Sequence, residues 1–378
     1  MHALETKKTP SAGRGWLKTL AIITISLLIG LLLAEALVRI ANGLGVVNLQ
    51  ASLNDLPATQ QPEDGVTLTA PTGEQPLYIA DTRLHHRMAA NWTGTFPQEV
   101  LEPLGRSEVP ISTNALGLRG PDVTQPKPAG EVRLLALGDS VTFGWGLRGE
   151  DAYPAQLASL LATLRPAQHF EVINAGVSGY GTWQELLWLQ DDGNALQPDI
   201  VIVQLHLNDA ADNLWGTLGW QSQRQNWLTR TSLLARLVQR VTSQPPRSGV
   251  PCATDWQVNN NEVCWQRTTE LLIKLEESAQ AAGAQVVLFP APMRWQVETG
   301  VRDPRAWVDA VRYQDALRQE ATRRGWLFMD PLPAFRQAAA SGQVLFVDVG
   351  HPNEAGQRLI AQELYNVLNT AGALDGAP

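Results

Sequence analysis

The sequence predicts an α/β fold of three layers, α/β/α, built around a parallel sheet. Three observations predict it. From Glu131 onward, short β-branched or aliphatic runs alternate with longer segments of helical period, the signature of βα units. Small polar blocks sit at the ends of those runs, where open parallel sheets gather their functional groups. The length of 378 residues suffices for one large α/β domain with appendages and is too short for three ordinary domains.

Strands are expected at 132–137, 170–174, 200–206 and 284–289, with a weaker one near 326–329. Helices are expected at 155–164, 182–189, 267–282 and 304–324. A final helix at about 354–368 is expected to bury Ile360, Leu364, Val367 and Leu368, which recur at i, i+4, i+7 and i+8. The regular part spans 131–370 and is interrupted by 210–264, too long for an ordinary connection and read as a lid or a packed flap. Residues 79–130 lack an evident core of their own and are read as an extension packing on the catalytic domain. Two pieces of it look deliberate, Arg87 to Trp92 and the turn-like Thr113-Asn114-Ala115-Leu116-Gly117-Leu118-Arg119-Gly120.

The first forty residues have a different composition. Lys7, Lys8, Arg14 and Lys18 precede an uncharged apolar run over 20–34, and 41–82 contains no Lys or Arg. By the positive-inside bias the basic segment 1–18 is cytoplasmic, 19–40 is a transmembrane signal anchor, and the bulk of the chain lies outside. Ala34-Glu35-Ala36 offers a small-residue cleavage site, and cutting after Ala36 would release the protein instead. Residues 41–78, rich in Pro, Thr, Gln, Asn and Gly, read as a linker. In an oxidising compartment Cys252 and Cys264, twelve positions apart in a polar segment, are expected to form a disulfide that staples the insertion.

The net charge of −8 gives no general attraction to nucleic acid, and two cysteines cannot make a zinc ribbon. The chemistry is concentrated in four blocks. The first strand runs into Gly138-Asp139-Ser140, the second into Asn174-Ala175-Gly176-Val177-Ser178-Gly179, the third into Asn208-Asp209, and Val347-Asp348-Val349-Gly350-His351-Pro352-Asn353 precedes the last helix. A serine nucleophile needs a base, the base an orienting carboxylate, and the oxyanion preorganised donors. Ser140, His351 and Asp348 supply the first three, and the oxyanion donors are Gly179 N–H, the Asn208 side-chain amide and the N–H of Ser140, helped by the following helix. His85-His86 reads as a packed or solvated pair rather than a metal site. Trp145, Trp183, Trp188, Trp215 and Trp220 lie near the expected mouth, as packing residues or as a platform for sugar rings.

The ordered set Ser, Gly, Asn, His, carried by these blocks over about 131–370, resembles the SGNH/GDSL hydrolase family. The resemblance implies a flavodoxin-like SGNH hydrolase fold and a Ser140–His351–Asp348 triad acting on O-acyl esters, short-chain ones such as acetyl foremost, without metal or organic cofactor. With the anchor and the 113–120 segment, the chain looks like a membrane-tethered bacterial subgroup: single-pass in the inner membrane, its catalytic domain in the periplasm or cell exterior, its substrate an ester such as an acylated glycan. One position departs from the pattern, His206 standing where the third block usually has Gly. The same residues would also serve an O-acetyltransferase of envelope or exported polysaccharide, and the fold alone would serve a catalytically silent glycan-binding protein. No motif encodes the acyl-chain length or the oligomeric state.

Overall fold

The computed structural model describes residues 15–43, 76–81, 83–206, 209, 213, 232, 234–235, 238, 262–298 and 312–375. Five strands form one parallel sheet: β5 (Glu131–Gly138), β6 (His169–Gly176), β7 (Ile200–Leu205), β8 (Gln285–Pro290) and β9 (Leu327–Phe328). They lie in the order β6-β5-β7-β8-β9. Counted from the first sheet strand this is 2-1-3-4-5, the flavodoxin-like order, whose switch point falls beside the first strand. All five expected strands are present. The central strands β5, β7 and β8 were legible because a strand covered on both faces is apolar at most consecutive positions, not only at alternate ones, whereas the edge strands β6 and β9 are partly exposed or half-buried.

Strand periodicity divides the interior in two. Leu135, Leu137, Ile173, Ala175, Val201, Val203 and Leu288 face one core, whereas Leu134, Ala136, Ile200, Ile202, Val287 and Phe289 face the other. The first core is covered by α5 (Thr182–Trp188) and α6 (Glu262–Ala281), through Leu186, Leu271, Leu272 and Leu275. The second is covered by α4 (Tyr153–Leu164), α9 (Leu332–Ala340) and α10 (Glu354–Thr370). Two layers of helix on one sheet give the three-layer architecture. In α10 the buried stripe is Gln357, Ile360, Ala361, Leu364 and Leu368, and Val367 is only half-buried. The helical stripe is centred one residue away from the expected one because Gln357 and Ala361 share it.

Arg133 is a charged residue inside a wholly buried strand. Its guanidinium pairs with Glu131 and Glu171 and donates to the carbonyls of Leu196 and Thr124. A buried charge is tolerated when its donors are filled in this way.

Before the sheet, β1 (Tyr78–Asp81) pairs with β2 (His85–Met88), and β3 (Thr93–Thr95) pairs with β4 (Pro110–Ser112), both antiparallel. A one-turn helix, α2 (Gln98–Leu101), lies between β3 and β4. Tyr78, Leu84, Met88, Trp92, Phe96 and Ile111 belong to the same core as Leu135 and Leu137. This segment showed no core of its own because its apolar side chains complete the core of the sheet. The helix expected to follow the Ser140 turn is present as the one-turn α3 (Ser140–Phe143), α9 and the one-turn α7 (Arg294–Val297) were not expected, and α8 (Arg312–Arg324) is the described part of the helix expected over 304–324.

Met1–Gln50 with Gln221–Gln244 forms a separate compact unit. Its described part holds α1 (Gly15–Gly43), whose stretch Ile22–Ala41 is long and apolar enough to cross a membrane. Glu35 on α1 pairs with Arg39 and accepts hydrogen bonds from Ser232 Oγ and Leu234 N–H. Of the linker expected over 41–78, residues 41–43 belong to α1 and Tyr78 begins β1, while 44–75, nearly all of the 210–264 insertion and Cys252 lie outside the described residues.

Candidate active site

Ser140 sits where β5 gives way to α3, at the switch point of the sheet. The turn is made by Asp139, which has non-helical backbone and caps the helix by accepting the Val141 N–H at 2.9 Å. Ser140 is thus the first residue of the helix and not its cap. Helix α3 has only four residues and ends on Gly144 at φ +82°, so the dipole available to Ser140 is that of a single turn.

Glycines let the neighbouring chains close on this turn. A Cβ on Gly138 would stand 2.1 Å from Thr142 Oγ1, and one on Gly176 would stand 2.4 Å from Phe143 N. Gly138 and Gly176 are partners in the β5–β6 register, so the second block lies directly against α3. Asn174 ties the two together, donating to Thr142 C=O and accepting from Gly176 N–H.

His351 arrives on a tight loop before α10. Val347 N–H donates to His351 C=O, Asn353 N–H donates to Leu345 C=O, and the Asn353 side chain caps α10 by accepting from Ala355 and Gly356. His351 Nε2 lies 2.8 Å from Ser140 Oγ and Nδ1 lies 2.7 Å from Asp348 Oδ2. An ionised carboxylate only accepts, so Nδ1 carries the proton and the Ser140 hydroxyl donates to Nε2. Burial would raise the Asp348 pKa, but the His351 ring and the backbone N–H groups of His351 and Gly350 outweigh it and hold it down at about 2. The Trp145 ring lies 6.1 Å from that of His351, centroid to centroid.

Gly179 adopts φ +77°, and Tyr180 N–H donates to Val177 C=O across it. Asn208, the other expected oxyanion donor, and its neighbour Leu207 lie outside the described residues, as do Trp215 and Trp220. Trp183 and Trp188 are buried core residues. His206 is buried beside the site: its Nδ1 lies 3.8 Å from Asp139 Oδ2, its N–H donates to Asp209 Oδ2, and its ring fills the space against Gly350. A side chain there lies between the turn of Ser140 and the loop of His351. Glu185 on α5 is also buried, and burial together with the Asp139 charge raises its carboxyl well above the usual carboxylate range.

Residues 136–359 match the profile of the GDSL-like lipase/acylhydrolase family, and they contain every block of this site. The chain belongs to that family. It is a GDSL-type esterase of α/β SGNH fold, an acylhydrolase whose substrates are esters. Similar solved structures include a mutant of Axe2, an acetyl-xylooligosaccharide esterase from Geobacillus Stearmophilus, at 19% identity and TM-score 0.42 over 63% of this chain and 94% of that one. An alpha/beta hydrolase enzyme from the metagenome of Lake Arreo, Spain, matches at 21% identity and TM-score 0.42, covering 63% of this chain and 95% of that one. The acetyl xylan esterase AlAXEase matches at 17% identity and TM-score 0.43, covering 63% and 100%. No curated protein matches the chain.

Two residues that the sequence reading marked only as parts of a turn and a packed pair make contacts near the site that it did not foresee. Arg119 is buried and donates to the carbonyls of Phe143, Gly144 and Leu147, with its guanidinium 4.5 Å above the Phe143 ring. It clamps the end of the helix that carries Ser140. The segment 113–120 is the device that delivers it: Asn114 Oδ1 accepts from Leu116 and Leu118 N–H, and Gly117 at φ +74° passes Met88 C=O where a Cβ would lie 2.5 Å away. The turn was visible in the sequence, but its passenger was not. The second residue is His86, whose Nε2 lies 3.0 Å from Ser178 C=O. Nothing in the sequence pairs residues ninety-two positions apart.

Proposed function

We propose that the esterase works through Ser140 as nucleophile, His351 as general base and Asp348 as the carboxylate that orients the base and stabilises its protonated form. The observation that carries this reading is the continuous hydrogen-bonded chain Ser140 Oγ, His351 Nε2, His351 Nδ1, Asp348 Oδ2, with links of 2.8 and 2.7 Å. Ser140 Oγ attacks the ester carbonyl as its proton passes to Nε2, and the imidazolium is stabilised by Asp348. The tetrahedral oxyanion is held by the N–H groups of Gly179 and Ser140 and the Asn208 side chain. His351 then protonates the departing alkoxide, and water, activated by the same ring, releases the acyl group.

The acyl group in this reading is short, acetyl foremost. The α1 helix is a signal anchor, 44–75 is a linker, and the domain 131–370 works outside the cytoplasm with its 79–130 extension and a Cys252–Cys264 disulfide in the 210–264 insertion. The basic residues ahead of α1 and their absence over 41–82 support that orientation. O-acyl esters of envelope or exported glycans are then the reachable substrates.

The test is hydrolysis of a short chromogenic acetyl ester by the full chain in detergent, beside Ser140→Ala and His351→Ala. Both variants are expected to lose turnover by at least about three orders of magnitude. Turnover that survives in Ser140→Ala would overturn the assignment.

A further inference from the structure

We propose that His86 is a positioning residue for the oxyanion hole, aiming the Gly179 N–H by holding the carbonyl at the other end of the same peptide group. The proposal rests on Gly179 being an oxyanion donor, as in the reading above.

Residues 177–180 form a β-turn closed by Tyr180 N–H to Val177 C=O at 3.0 Å. Gly179 has φ +77° at the third position, and Ser178 is not among the residues of positive φ, which together define a type II turn. Types I and II differ by a flip of the central peptide, here Ser178–Gly179. A trans peptide is planar, with its C=O and N–H pointing in opposite directions. Whatever fixes the Ser178 carbonyl therefore fixes the Gly179 N–H, and a flip would turn that donor away from its acceptor.

His86 fixes the carbonyl. Its Nε2 lies 3.0 Å from Ser178 O, and since a carbonyl only accepts, Nε2 must carry the proton. The ring is buried and held edge-on by Tyr78 and Tyr180, with centroids 5.6 and 5.2 Å away. The tie runs both ways, because Tyr180 Oη donates to His86 C=O at 2.7 Å and Gln184 Nε2 donates to Leu84 C=O at 2.9 Å. Strand β2 is thus bound on both sides of Gly179. The turn itself starts at Val177, whose N–H donates to Gly138 C=O at the end of the nucleophile strand.

The bond also strengthens the donor. Hydrogen bonding to the C=O of an amide polarises its N–H, by roughly 10–30% per bond in condensed-phase terms. On this view the β1–β2 hairpin is part of the catalytic apparatus and not only a cover for the core.

The experiment uses the full chain in detergent micelles and compares wild type, Ser140→Ala, His86→Leu and His86→Gln on a short acetyl ester, with methylboronic acid as a probe of the tetrahedral state. Loss of a whole oxyanion donor costs about 10²–10³ in kcat, so loosening one by His86→Leu is expected to cost about 10–100-fold in kcat, with KM changed less than about three-fold. Methylboronic acid binding should weaken in parallel. His86→Gln, which carries a donor at similar reach, should recover kcat to within about five-fold of wild type. A His86→Leu kcat within two-fold of wild type, or a His86→Gln protein as impaired as His86→Leu, would overturn the proposal. Selective 15N-histidine labelling of the unmodified protein adds a readout independent of folding of the variants: His86 should be the neutral Nε2–H tautomer, and an Nδ1–H tautomer would overturn the proposal. Undiminished turnover in Ser140→Ala, by contrast, would bring down the underlying reading rather than this one alone.

Discussion

Asp348 holds His351 at two points, by the ring and by the backbone. One carboxylate oxygen accepts from Nδ1 at 2.7 Å, and the other accepts from the His351 N–H at 2.8 Å and the Gly350 N–H at 2.9 Å. A residue three positions away therefore sets both the path of the loop and the tautomer of the His351 ring. Since Asp348 titrates at about 2, it is ionised throughout the working range. If His351 is the general base, as proposed, the acid limb of kcat/KM is expected to follow loss of that base and not protonation of Asp348. Asp348→Asn is expected to lower kcat by about 10³–10⁴-fold by favouring the wrong tautomer, while leaving KM within a few-fold. Steady-state kinetics across pH 4–9 checks both.

Arg119 should not tolerate replacement. Its guanidinium is buried and fills three carbonyls at the end of α3, and although burial lowers its pKa to about 10 it remains charged at neutral pH. Arg119→Ala leaves those acceptors unpaired and should cost about 3–5 kcal/mol of stability. Arg119→Lys should recover little, because a point charge cannot match a planar fork that serves three acceptors and stacks on Phe143. Urea unfolding of the two variants measures this.

Gly176→Ala tests the contact between the second block and α3, the helix that begins with Ser140. The added methyl carbon would meet Phe143 N at 2.4 Å and Thr142 C at 2.7 Å, both backbone atoms that cannot swing aside. Relief requires α3 to move off β6, so both stability, by about 1–3 kcal/mol, and turnover should fall. A variant with native stability and full activity would contradict the close approach.

The paired histidines should make the fold sensitive to acid. Burial lowers His85 and His86 each from 6.5 to about 4, with the charge of His86 adding to the effect on His85. Between those values the unfolded chain binds more protons than the folded one, so stability is complete above about pH 6.5 and declines as pH falls toward 4. Each ring contributes at most about 3 kcal/mol, and the two are coupled rather than additive. Denaturant midpoints across pH 4–7 should show the decline, and His86→Gln should flatten it.

The sequence by itself determined what local pattern can encode. The runs of β5, β7 and β8, apolar at most successive positions, specified a sheet covered on both faces, because a strand buried twice cannot alternate. Asp348 and His351 were legible as a pair because three residues on one loop keep them in reach, and Ser140 because Gly138 and Asp139 mark the turn after a buried strand. Tertiary structure alone decided how distant segments complete one another. It brings His351 across 211 positions to Ser140, lays the hairpin of His86 on the turn of Gly179, and sends Arg119 to the end of α3. Those contacts follow from strand order and from shared burial, and neither leaves a periodic trace in the chain. Residues 79–130 show the difference most plainly: their apolar side chains carry no clear pattern because the surface they fit belongs to a sheet formed later in the sequence.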